Sequence, residues 1–253
     1  MPQTIYPFIL PNPAQPSLLP LWKRWVAANA LSELLGLGLV AAIGGGLVWR
    51  FGEPHTVFLI LLFALLMILL GAVEGLIIGL AQWLAVSPFF RSLSRRDWVK
   101  ATIYGAVIAW GLGMIPSTFF ALQDSPHVTP DPPVNDMLKY WLAAVMGLGL
   151  GAALGVPQWL VLRRQLWRAS WWVGANAIAW AIGMPIIFWG AGAVPEQPEG
   201  WQVVSWLALT LSVAGAAVGA IHGCALIWLL RHRAWKRNLP RELEGGAQKG
   251  ISP

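Results

Sequence analysis

The sequence predicts an all-α membrane bundle of six transmembrane helices, built as three repeated helical hairpins. Three observations carry that prediction. The chain of 253 residues is 57% hydrophobic and only 11% charged, whereas a soluble domain carries about 25% charged residues. Six apolar stretches each reach the ~20 residues that a spanning helix needs. One glycine-and-glutamine phrase recurs at matching places in those stretches. The alternating apolar–polar segments of a membrane barrel, each about ten residues long, are absent from the sequence.

The six stretches are 25–49, 56–87, 98–120, 137–162, 171–192 and 201–230. Turn formers and charges separate them, as in "FGEPH", "FFRSLSRRD" and "DSPHVTPDPPVND". Six prolines fall between Pro2 and Pro20, with no basic region ahead of an apolar core. Residues 1–24 therefore read as a Pro-rich cytoplasmic arm that favours polyproline II, and not as a cleavable signal peptide. Residues 25–87, 98–162 and 171–230 form hairpin repeats 1, 2 and 3. Residues 231–253 form a basic cytoplasmic tail, whose Arg231, Arg233, Lys236 and Arg237 suit anionic lipid headgroups.

Orientation follows from lysine and arginine, which accumulate in cytoplasmic loops. Fifteen of the 17 lie on one set of connections: Lys23 and Arg24, the 91–100 loop, the 163–168 loop, and the tail after the sixth stretch. The other side holds Arg50 and Lys139 beside Glu53, Asp124, Asp131, Asp136, Glu196 and Glu199. A multi-pass protein of a bacterial plasma membrane with both termini cytoplasmic is expected. The net charge of +6 is thus a topology signal, and no nucleic-acid partner is expected. Cys224 is the only cysteine, which excludes an intramolecular disulfide.

The 17 tryptophans mostly fall near the ends of the expected spans, where amphipathic indoles favour the headgroup level. Trp22, Trp25, Trp83, Trp98, Trp159, Trp167, Trp171, Trp172, Trp228 and Trp235 are expected in the cytoplasmic belt, and Trp49, Trp141, Trp189, Trp201 and Trp206 in the outer one. Trp110 and Trp180 sit deeper and are expected inside the bundle.

The repeat is clearest in the even spans. The second carries Gly71, Gly75, Gly79 and Gln82, the fourth Gly147, Gly151, Gly155 and Gln158, the sixth Gly215, Gly219 and His222. The odd spans start alike, with "WVAAN" at Trp25, "WVKAT" at Trp98 and "WVGAN" at Trp172. At ~100° per residue, Gln82 lies within the face that Gly71, Gly75 and Gly79 define. Glycines four apart let helix backbones approach, and amides beside such contacts hydrogen-bond across them. The eight glycines are therefore expected to pack helices. Gln82, Gln158 and His222 act either as interhelical clamps or as a shared polar layer lining a small cavity. All three hairpins enter from the same side, so an approximate three-fold axis along the membrane normal relates them.

The phrase G-x-x-x-G-x-x-Q-W-L-x-L-R, followed by a basic loop and W-W-V-x-A-N, resembles a loosely defined group of polytopic membrane proteins from cyanobacteria and filamentous green bacteria with no assigned activity. The resemblance is strongest over 147–184, fainter over 71–114, and weak at the sixth span, where His222 and Gly223 replace Gln-Trp. It implies repeats and a membrane location, and no catalytic residues.

Two carboxylates break the repeat. Glu33 lies in the first span and Glu74 in the second, where the other copies hold Leu150 and Ala214. A charge at mid-membrane costs about 2.5–3.5 kcal/mol and marks function by default. Glu33, Glu74, Gln82, Gln158 and His222 are the candidate intramembrane polar site, with Asn29 and Asn176 at similar depth. The set suits a proton- or cation-linked site; the alternative is interhelical hydrogen bonding alone. His222 as a ligand to the magnesium of a chlorophyll, with Trp-rich grooves holding a carotenoid or lipid tail, is a further reading.

No H-E-x-x-H, G-x-S-x-G, C-x-x-C or P-loop occurs, so the chain is not expected to be an enzyme, and no metal site is expected. His127 has no companion at ligand spacing. Two function classes remain. One is a non-enzymatic accessory or scaffold subunit of a larger membrane assembly, partnered by lipids and by other membrane subunits or pigment. The other is a small proton- or cation-linked transporter or channel using Glu33 and Glu74.

Overall fold

The computed structural model describes residues 17–123, 136–194 and 199–237. Within them the chain is helical, in the order α1 (Leu19–Phe51), α2 (Val57–Val86), α3 (Arg95–Gln123), α4 (Asp136–Leu162), α5 (Trp171–Gly192) and α6 (Gly200–Arg237). All six are long and apolar enough to cross a membrane, which makes this a multi-pass membrane bundle.

Two ends differ from expectation. The helix α1 begins at Leu19 rather than Trp25, with Pro20 in its first turn, where a missing N–H costs nothing. The last part of the expected arm is therefore helix. At the other end α6 runs on through Arg231 to Arg237. In both places the helix outlasts its apolar stretch, because nothing there breaks the hydrogen-bond ladder. The remainder of the arm, the tail beyond residue 237 and His127 lie outside the described residues. Pro116, Pro157 and Pro185 sit inside α3, α4 and α5, whose helical runs continue through them.

The helices form a closed ring. Among the described residues each helix packs on its two neighbours in sequence, and α6 returns to α1. The glycine stripes make the contacts between hairpins. A Cβ at Gly75 would come within 2.7 Å of Ala106 Cβ and 2.9 Å of Ile103 Cα on α3. One at Gly155 would lie 3.1 Å from Val173 Cα on α5, and one at Gly219 would lie 3.1 Å from Val26 Cα on α1. Gly79 and Val99 repeat the same contact at 3.1 Å. The valine after the starting tryptophan thus meets the same glycine in all three copies. Gly71 abuts Trp110, Gly147 and Gly151 abut α5 at Trp180 and Asn176, and Gly215 abuts Asn29 and Glu33. The stripes are spent inside the chain, on an approximate three-fold ring.

The basic end is closed. Leu21, Val86, Phe90, Leu93, Leu162, Leu166, Leu226 and Leu229 bury together there. At their centre stand Trp25, Trp98 and Trp172, pairwise edge-to-face with centroids 6.0–6.3 Å apart. These three were expected in the headgroup belt, and the structure corrects that. They are core residues, each 0–1% exposed. Trp49, Trp141, Trp167, Trp171, Trp189 and Trp201 are exposed, as a belt requires. Trp180 is buried and Trp110 half-buried, both inside the bundle as their depth suggested.

Candidate functional site

Above the tryptophan plug each helix contributes one polar residue: Asn29, Gln82, Thr102, Gln158, Asn176 and His222. All six are buried. The ring's symmetry sets this layer. Asn29, Thr102 and Asn176 each stand four residues after the starting tryptophan of an odd helix, and Gln82, Gln158 and His222 each stand three after the last glycine of the stripe.

Hydrogen bonds tie most of the layer together. Trp172 Nε1 donates to Gln158 Oε1 at 2.9 Å. Gln158 Nε2 donates to Gln82 Oε1 at 3.2 Å and to Thr102 Oγ1 at 3.0 Å. Gln82 Nε2 donates to Asn29 Oδ1 at 2.9 Å. The odd-helix members turn back on their own helices: Asn29 Nδ2 donates to Trp25 O, Thr102 Oγ1 to Trp98 O, and Asn176 Nδ2 to Trp172 O. Such donation to the carbonyl four residues back satisfies a polar group within its own helix. Five helices, α1 to α5, are thereby linked by side chains. His222 stands apart. Its ring lies 5.4 Å from that of Trp172, and neither ring nitrogen has a hydrogen-bond partner.

Further into the ring are the carboxyls, Glu33 one turn from Asn29 on α1 and Glu74 about two turns from Gln82 on α2. Glu33 is 2% exposed and Glu74 5%. Trp110 Nε1 donates to Glu74 Oε2 at 2.6 Å. Glu74 also packs against Gly36 of α1, where a Cβ would approach its Cγ to 2.8 Å. Glu33 Oε2 has no partner.

These groups surround one cavity of about 240 Å³, lined by residues of all six helices. Its floor is the polar layer. Glu33 and Glu74 stand in the wall, and the rest is largely apolar: Leu37, Ile78, Met146, Leu150, Leu154 and Met184 among others. Among the described residues no lysine or arginine lines it. The cavity is a cup. The buried tryptophans seal it at the basic end. Toward the other end its wall loosens, because α3 buries no residue beyond Ala109.

All five residues of the expected polar site therefore line one cavity, although they come from four helices. Asn29 and Asn176, expected at the same depth, line it too. Thr102 and Trp110 were missed as site residues. Thr102 stands where "WVKAT" replaces the asparagine of "WVAAN" and "WVGAN", so the repeat held the signal. Trp110 carried no signal beyond its depth. Cys224 is exposed while His222 is buried, so the two make no catalytic pair. No cluster of three metal-ligating side chains occurs among the described residues.

The chain matches no protein-family model, no curated protein and no solved structure.

Proposed function

We propose that this integral membrane protein is a non-enzymatic receptacle, which takes a small amphiphilic molecule from the membrane into its cup. The observation that carries the reading is the shape and chemistry of the cavity. It is closed at one end, apolar along its walls and polar at its floor. Small-molecule sites have this character, with mostly apolar linings and a few convergent polar groups. The glycine stripes, which also suited a scaffold, are used within the chain. An accessory role among other membrane subunits would rest on the outer surface instead.

The test is purification of the native protein in mild detergent, with mass spectrometry and an absorption spectrum of the same fraction. A small molecule, pigment included, is expected at fixed stoichiometry. It should be lost in Gly113→Leu. Gly113 lines the cup, and the nearest atom to a Cβ there is Leu150 Cδ1 at 3.8 Å, so a side chain can start there without striking backbone. An identical complement in native and variant protein would remove the receptacle reading. Stoichiometric membrane polypeptides in its place would favour the accessory role.

A second reading, proton- or cation-linked transport, is favoured by the unpartnered Glu33 Oε2. Transport requires the tryptophan plug to open. In liposomes, Glu74→Gln should abolish a pH-dependent flux while preserving the fold, since an amide oxygen still accepts from Trp110. Unchanged flux would sink this reading.

A further inference from the structure

We infer that the molecule the cup takes is a lipophilic ammonium ion, bound head-first at Glu33. This inference rests on the receptacle reading and names its ligand class. Three features of the cavity point to it. First, among the described residues the lining carries two carboxyl groups and no lysine or arginine. A buried carboxyl can ionise there only against a partner of opposite charge or a set of donors, and among the described residues the one side-chain donor to either carboxyl is the indole of Trp110, to Glu74. Second, the unpartnered buried polar atoms of the lining are Glu33 Oε2 and the two ring nitrogens of His222. A neutral imidazole offers one acceptor and one donor. A ligand with N–H donors would satisfy Glu33 Oε2 and the accepting nitrogen of His222. Third, two indoles line the cavity, Trp110, which donates to Glu74, and Trp180, and aromatic faces attract cations in low-dielectric surroundings.

The alternatives fit less well. A carboxylate or phosphate head would meet like charge and find no basic side chain in the lining. An alcohol would satisfy Glu33 Oε2 with a single donor and bring no charge to pair with an ionised carboxylate. A primary ammonium brings three donors and a positive charge. Its alkyl body would lie along Leu150, Leu154, Met146 and Met184, and unbranched thioether side chains adapt to irregular apolar shapes.

The probes are n-octylammonium, n-octanol and n-octanoate, which share one chain and differ in the head. Each is titrated calorimetrically into the full chain in lipid nanodiscs, with empty nanodiscs subtracting partition into lipid. The expected result is saturable binding of octylammonium, with octanol weaker by about tenfold, as a charged hydrogen bond exceeds a neutral one, and octanoate not bound. In Glu33→Gln, octylammonium should lose its advantage over octanol. The comparison of heads on native protein holds even if that variant folds poorly. Octanol or octanoate binding as tightly as octylammonium overturns the ammonium assignment and leaves the receptacle standing. If none of the three saturates, both fall together.

Discussion

Replacing Trp172 by alanine should destabilise the bundle by about 3–5 kcal/mol, the range for deleting a fully buried large aromatic. The same change at Trp171, one residue earlier, should cost about 1 kcal/mol or less, the worth of one aromatic pair. Trp172 is fully buried, edge-to-face with both Trp25 and Trp98, and donates its N–H to Gln158. Its removal opens a hole on the three-fold axis. It also leaves an amide oxygen of the polar layer unsatisfied. Trp171 is 64% exposed and touches only Trp228 among the aromatic contacts found, with centroids 6.1 Å apart. Reversible unfolding in mixed micelles, followed by circular dichroism, measures both. Equal losses at the two positions would show that the triad is not the keystone of the basic end.

The second large effect is expected at Gly151, where alanine should cost about 1–3 kcal/mol or more. A Cβ there would overlap the main-chain oxygen of Asn176 and come within 2.8 Å of Trp180 Cβ. Helix backbone cannot yield as a flexible side-chain tip can, so α4 and α5 must separate. Gly149→Ala, on the same helix, is the control. Nothing lies within 4 Å of a Cβ at Gly149, and alanine is the better helix former by up to about 1 kcal/mol. The pair should therefore move in opposite directions in the same unfolding assay. A loss at Gly149 matching that at Gly151 would mean that close approach is not what the stripe is for.

The sequence was most legible where its chemistry admits one use. Long apolar runs have to be helices in lipid, where every backbone group must be satisfied within the chain. Glycines four apart read as close contacts, and a lone glutamine beside them had to face inward. Glu33 and Glu74 stood out because a carboxyl in an apolar helix is costly. Tryptophan was less legible, since an indole serves a headgroup belt and a packed core equally well. Trp25, Trp98 and Trp172 were assigned to the wrong one of these. Their recurrence at one repeat position was the better signal. A belt tolerates an indole at any register near the interface, whereas a triad on a three-fold axis needs it at the same register three times. The cup was illegible for a different reason. Its wall draws on all six helices, and the identity of neighbours across a ring is not written in any one of them. Thr102 shows the limit at a single residue: threonine in a helix often serves its own backbone, as it does here by donating to Trp98 O, and only the tertiary contact with Gln158 makes it part of the floor.

Closure of the ring has a consequence in time. Trp22 Nε1 donates to Ala220 O across 198 residues, and Gly215 and Gly219 of α6 cover Asn29 and Glu33 of α1. At synthesis rates of about 5–20 residues per second, α1 waits on the order of 10–40 s for the helix that shields it. Through that interval a carboxyl and an amide face the nascent membrane without their final cover. Helix α1 is made before α6 and is completed only when α6 arrives.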